Sequence, residues 1–303
     1  MKPALSRSRA SCATSFHGVG PTITSICTRT PSLGTGPVNQ VGRPAAWWDA
    51  CVASLEDLIR PERYPRSLNY DPAWVVSLDM GPHPLWLLEN LDLDLTPGAR
   101  VLDLGAGRGA TSVFLAKEYD VEVVAADWWT PAEEVQKVLD AAGVGSSVTA
   151  VRAEAHDLPF EPESFDAIVS VDAFEYFGTD DHYLGYLTRF LRPGGTLAVA
   201  TPGMTKEIRT LGAIPHYIAE CVGWEALAWH TPGWWKQSWE LTGLVEDVKA
   251  RLQPDGWADW WLWHDVTCSL RGEDPHAGSV GRMLAADGGQ MLSFTLLTAR
   301  KKA

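Results

Sequence analysis

Val101-Leu102-Asp103-Leu104-Gly105-Ala106-Gly107-Arg108-Gly109 is the stretch whose reading decides the fold. An apolar run carrying one acid passes into three glycines at alternate positions, and a helix former follows at Ala110. That order predicts a strand, a tight turn and a helix N-terminus. Glycine lets the backbone come close to a ligand, and the first helical turn leaves N–H groups unpaired. Nineteen residues past Arg108 comes Asp127, which closes a second strand-like run, Val121-Glu122-Val123-Val124-Ala125-Ala126. A carboxylate there is placed to accept both hydroxyls of a ribose, as a nucleoside cofactor requires.

The spacing separates two cofactor classes. A dinucleotide fingerprint runs G-x-G-x-x-G with a pyrophosphate over the helix N-terminus. Here one residue separates the second and third glycines, and Asp103 stands just before the turn. An anion beside Asp103 is repelled and an ammonium is attracted. S-Adenosylmethionine carries an ammonium and a sulfonium but no phosphate, so it fits better than a nicotinamide dinucleotide. In these residues the chain resembles the class I S-adenosylmethionine-dependent methyltransferases, above all the small-molecule enzymes of the ubiquinone/menaquinone-biosynthesis type.

The resemblance implies an α/β fold: a doubly wound, seven-stranded, mostly parallel sheet of the Rossmann-like methyltransferase type, with a helical cap and Trp-rich insertions. The alternation of strand and helix patterns supports it. Strands are expected at 100–104, 121–126, 148–152, 165–170 and 196–200. Helices are expected at 110–118, after Pro131 and across 180–191, ending at Arg192-Pro193-Gly194-Gly195. Residues 243–248 and 291–297 supply the last two strands, expected as an antiparallel hairpin at the sheet edge.

Residues 1–43 read as a disordered or targeting tail, 44–98 as an N-terminal helical cap, and 99–303 as the methyltransferase domain. In the cap, Trp47–Arg60 is expected as one helix with Trp47, Cys51, Leu55, Leu58 and Ile59 on one side, stopped by Pro61 and Pro65. Two insertions, near 201–240 and 251–289, read as irregular and hold nine of the 15 tryptophans.

The net charge is −13. Five of the 25 basic residues lie in residues 1–48, which contain no acid, leaving 20 against all 38 acidic residues. That balance argues against nucleic acid as a partner, because gripping phosphates needs a positive face. No run reaches the roughly 18 apolar residues of a membrane span. Five cysteines without a C-x-x-C pair suggest neither a disulfide framework nor zinc, and fit a cytoplasmic, reducing location. No metal motif is expected from the dispersed histidines.

The site expectations follow. Gly105, Ala106, Gly107 and Gly109 form the cofactor turn, Asp103 supports it and helps place the methionine ammonium, and Asp127 takes the ribose. Trp128 lies along the adenine, or is buried with Trp129 under the cap. The resemblance carries Glu154 and Ala155 to the adenine amino group. Asp172 sits just past the fourth strand, where substrate and cofactor meet in open sheets. The segment Ala173-Phe174-Glu175-Tyr176-Phe177 either walls the acceptor pocket or packs in the core. His230, in Trp229-His230-Thr231-Pro232-Gly233-Trp234-Trp235, is the candidate base or a structural histidine, and Tyr176 is a candidate to orient the acceptor. Methyl transfer needs mainly alignment, with a base only where the acceptor loses a proton.

The tryptophans favour a small aromatic, apolar or cationic acceptor. Their other reading is a homodimer seam. The rival function is a catalytically inactive cofactor-binding protein with the same fold.

Overall fold

Alternate residues of the first strand point to opposite faces, and both faces are apolar, so the strand needs helices on each side. The computed structural model describes residues 53–78 and 81–303 and has that three-layer form. After two short helices, α1 (Pro72–Ser77) and α2 (Pro84–Glu89), the chain alternates through β1 (Arg100–Leu104), α3 (Ala110–Tyr119), β2 (Glu122–Asp127), α4 (Ala132–Ala141), β3 (Val148–Arg152) and β4 (Phe165–Val171). It continues through α5 (Tyr183–Leu187), β5 (Leu191–Met204), α6 (His216–Val222), α7 (Pro232–Thr242), β6 (Val245–Leu252), α8 (Gly256–Arg271), α9 (Ser279–Asp287) and β7 (Leu292–Lys301).

The sheet has seven strands in the order β3-β2-β1-β4-β5-β7-β6. β1 to β5 pair in parallel, and β7 runs antiparallel to both β5 and β6. The order reverses between β1 and β4, which opens a crevice at their C-terminal ends. Val101, Val123 and Val169 face α2, α3, α4 and α8 through Trp86, Phe114, Leu139 and Trp263. Leu102, Val124 and Ile168 face α5 and α7 through Leu187, Trp235 and Trp239.

Three expectations change. Within the described part of the expected 47–60 helix, the chain makes a single 3-10 turn, Leu55–Leu58; Trp47 and Cys51 lie outside the described residues. The Asp57 carboxylate turns back to accept from the Ser54 amide at 2.8 Å, and Ile59 is extended and half-exposed. The segment 192–195 does not end a helix but belongs to β5. The last two strands pair antiparallel at the sheet edge as expected, with β7 next to β5 and with α8 and α9 connecting β6 to β7.

The Trp-rich segments are not irregular but largely helical, as α6, α7, α8 and α9. Thr231 caps α7 by accepting from the Trp234 amide, with Pro232 in the first turn, a start signal present in the sequence.

The segment before the sheet is tied to α8 by a buried polar knot. Asp259 accepts from the Tyr64 hydroxyl, from Arg63 at 3.0 Å and from Gln253 at 2.8 Å. Burial pushes the Asp259 carboxyl above the usual carboxylate range.

Candidate cofactor and acceptor site

The turn after β1 is built by backbone conformations that side chains oppose. Gly105 and Gly109 have φ of +80° and +93°. A Cβ on Gly105 would stand 2.3 Å from the Ala173 Cβ, so the turn after β1 fits against the turn after β4 only as glycine. The amides of Gly105 and Ala106 both donate to the Ala126 carbonyl, at 2.8 and 3.1 Å. These two amides therefore pack the turn on β2 rather than facing a ligand. α3 begins at Gly109 with no side-chain cap, which leaves its first amides without a side-chain acceptor.

Asp103 is fully buried on the α3 side of the sheet. Its Oδ2 accepts from Thr111 Oγ1 and Ser112 Oγ, each at 2.6 Å, and its Oδ1 has no partner. Burial pushes its carboxyl up to about 6.

Asp127 ends β2, also buried. Its Oδ2 accepts from the Gly107 amide at 2.9 Å, and its Oδ1 from the Trp129 and Thr130 amides at 2.8 and 2.7 Å. An ionised carboxylate offers about four acceptor positions. Three are in use, so one is left for an incoming hydroxyl.

Trp128 and Trp129 are not buried; they are 50% and 56% exposed. The Arg152 guanidinium lies 4.9 Å from the Trp128 ring centroid. Glu154 is turned onto His156, accepting from its amide at 2.9 Å. The Ala155 carbonyl accepts from the Tyr183 hydroxyl at 3.0 Å. Asp172 adopts φ of +52°, uncommon for a non-glycine residue. Gly81 of the cap meets its carboxylate: a Cβ there would fall 2.0 Å from Asp172 Oδ2. The described residues thus bring the cofactor candidates and the cap to the crevice between β1 and β4.

Residues 101–195 match the model of a methyltransferase domain family. That stretch is a methyltransferase domain. Cyclopropane-fatty-acyl-phospholipid synthase of Escherichia coli (strain K12) is 38% identical over 116 residues, which are 38% of this chain and 29% of the synthase. Demethylmenaquinone methyltransferase of Mycobacterium sp. (strain KMS) is 28% identical over 234 residues, 67% of this chain and 94% of that protein. Phosphoethanolamine N-methyltransferase 2 of Haemonchus contortus, solved with S-adenosyl-L-methionine, superposes with a TM-score of 0.62 at 19% identity, covering 83% of this chain and 61% of the other. The chain thus spans less than a third of the length of the synthase it resembles.

Among the acceptor candidates, Tyr176 is 55% exposed and meets Trp129 edge to face at 5.1 Å. Partial desolvation and the charges of Glu175, Asp172 and Glu225 hold its phenol above the ordinary value. Phe174 and Glu175 are both buried, so the segment divides between core packing and the crevice.

His230 is buried, stacked on Trp234 with ring centroids 3.5 Å apart, and its Nδ1 lies 3.0 Å from Glu207 Oε2. Burial pulls its imidazole below the ordinary value, with Glu207 opposing. Its carbonyl accepts from Thr295 Oγ1 at 3.1 Å, next to the C-terminal end of β5. The sequence reading missed Glu207 and Thr201, and named Glu175 only as part of its aromatic segment. No local motif marks them, because their partners lie 23 to 26 residues away. Among the described residues, no three His, Cys, Asp or Glu side chains converge as a metal site would require.

Asp103 makes one checkable prediction about the domain. Its carboxyl is raised from 3.8 to about 6 in the fold. The stability it contributes is therefore full below pH 3.8 and lost as pH rises through about 6. Asp103→Asn escapes that loss, so its stability relative to the native chain should improve by about 2–3 kcal/mol between pH 4 and 7. Melting curves across that range test this, and parallel pH profiles for the two proteins would contradict it.

Proposed function

We propose that the chain transfers a methyl group from S-adenosylmethionine to a small acceptor of aromatic, apolar or amine character. The observation that carries the reading is the Asp127 carboxylate, held by three backbone amides at the C-terminal end of β2 with one acceptor position left. In this reading the ribose meets Asp127 and the adenine lies along the exposed face of Trp128, with Glu154 and Ala155 near its amino group. Glu154 serves there only after leaving His156, an exposed contact that gives way readily.

The buried Asp103, with its unpartnered Oδ1, supplies negative charge beneath the turn for the methionine ammonium. In this reading Asp172 and Tyr176 flank the acceptor, while His230, buried and held by Glu207, has a structural part. When bound, S-adenosylmethionine supplies a methyl group already activated on a sulfonium, so the chain's own work is alignment and exclusion of water. The described part of the cap before β1 does the second of these, through the contact of Gly81 with Asp172. A cytoplasmic location agrees with five cysteines that form no paired motif.

Calorimetric titration of the full-length chain with S-adenosylmethionine and S-adenosylhomocysteine tests the reading. Dissociation constants on the order of micromolar are expected for both. Binding of NADH with no response to either ligand would sink it.

A further inference from the structure

The loop after β4 carries a buried carboxyl. Glu175 lies on the 3-10 turn Phe174–Tyr176 that follows β4. Phe174 anchors that turn, its ring 5.6 Å from Trp235, 6.0 Å from Trp239 and 5.9 Å from Tyr183. Ala173, one residue before the turn, abuts Gly105 of the glycine turn. Glu175 itself is 7% exposed, and its Oε2 accepts from Thr201 Oγ1 on β5 at 2.9 Å. It is therefore fixed from both sides, within two residues of the contact with the cofactor turn.

Glu225 on the turn Gly223–Ala228 acts on Glu175, and with Asp172 of the same loop it acts on Tyr176; both are carboxylates. The rings of Tyr176 and Trp129 stand open beside them. An acceptor that ionises to an anion, such as a phenolate or a carboxylate, is repelled here. An ammonium is attracted by the carboxylates and by the ring faces.

We propose that Glu175 is the residue that takes the proton from an ammonium-bearing acceptor, so that the substrate is a small amine methylated on nitrogen. The inference rests on the methyltransferase reading given above and deepens it. The ammonium proton passes to a Glu175 oxygen, and the nitrogen pair so released forms the new N–C bond. The C–S pair stays with sulfur, which becomes a neutral thioether, and the positive charge moves to the methylated nitrogen. Burial, with Glu225 adding to it, pushes the Glu175 carboxyl up to about 7, where it can exchange protons at neutral pH.

The test uses the full-length chain and Glu175→Gln. Each is saturated with S-adenosylhomocysteine and titrated with benzylamine and with benzyl alcohol. Transfer of labelled methyl groups is then measured with benzylamine, phenethylamine and ethanolamine against p-cresol and benzoate. The native chain should bind benzylamine at least about tenfold more tightly than the alcohol and methylate amines alone.

Glu175→Gln should keep its S-adenosylhomocysteine affinity within about twofold, lose the amine preference, and lose about 10²–10⁴-fold in transfer. The rate of the native enzyme should rise with pH through about 7, a limb the Gln variant lacks. The Gln variant should also melt higher above that pH, because ionising the buried Glu175 weakens the native fold. A purely structural role would leave amine preference and pH profile unchanged. Equal binding of amine and alcohol, methylation of p-cresol or benzoate in place of amines, or a Gln variant with full transfer would overturn the proposal. Failure of the native chain to bind S-adenosylmethionine or its product would instead refute the methyltransferase reading, and the first titration separates the two cases.

Discussion

Asp127→Ala should lose about 100- to 1,000-fold in affinity for S-adenosylmethionine and still fold. Hydrogen bonds to a charged group contribute about 1.5–3 kcal/mol each, and tenfold in affinity corresponds to about 1.4 kcal/mol. One such bond to a ribose hydroxyl accounts for about tenfold to 100-fold. The rest comes from the turn. Asp127 Oδ2 holds the Gly107 amide at 2.9 Å, and without it the middle of the glycine turn loses its tie to β2. The Trp129 and Thr130 amides, bonded to Oδ1 at 2.8 and 2.7 Å, lose their acceptor as well. Asp127→Asn preserves one carbonyl acceptor but places an NH₂ against an amide donor, so it should fall between the two. Calorimetry with circular dichroism as the folding control decides it. Native affinity in the Ala variant would show that the cofactor does not use this carboxylate.

Trp235→Ala should destabilise the fold by about 3–5 kcal/mol, the usual cost of emptying a core aromatic site. For a folded part of this size that is a fall of roughly 6–20 °C in melting temperature. Trp235 is fully buried, crossed edge to face by Trp234 at 4.9 Å and packed on Phe174 at 5.6 Å. Its indole N–H has no partner. Trp235→Phe keeps most of the packing and removes that stranded donor, so it should lose only about 1 kcal/mol. Thermal melts of the pair separate packing from polarity, and equal losses in both would mean that the indole is bonded after all. The Ala variant should also lower methyl transfer, because Phe174, which rests on Trp235, carries the turn that holds Glu175.

The turn after β1 and the acid that closes β2 were legible because their signals are local. A strand of alternating apolar residues, glycines where φ turns positive and an acid closing the next strand lie within about 27 residues, and each reports a backbone requirement. The expected strands at 100–104 and 148–152 match β1 and β3 to the residue. The tryptophan segments misled for an equally physical reason. Helix α8 is wedged between the sheet and α9 and is apolar on several sides, so Trp257, Trp260, Trp261 and Trp263 blur the two-sided pattern by which a surface helix is recognised. The spacing Trp257-Trp261, stacked with ring centroids 6.0 Å apart one helical turn on, was the available cue. His230 looked like a loop residue facing the cleft, but Thr231 and Pro232 start a helix there and Glu207, 23 residues earlier, takes its ring nitrogen. Such pairings depend on the folded topology, and nothing in the neighbouring residues announces them.

The contact of the Ala173 methyl with Gly105 bears on timing. Because one loop props the other, the cofactor turn exists in its final shape before any ligand arrives, and association carries little ordering entropy. Encounter should therefore proceed as a single fast phase whose rate grows linearly with ligand concentration, and discrimination between cofactor and product should reside in how quickly each one leaves.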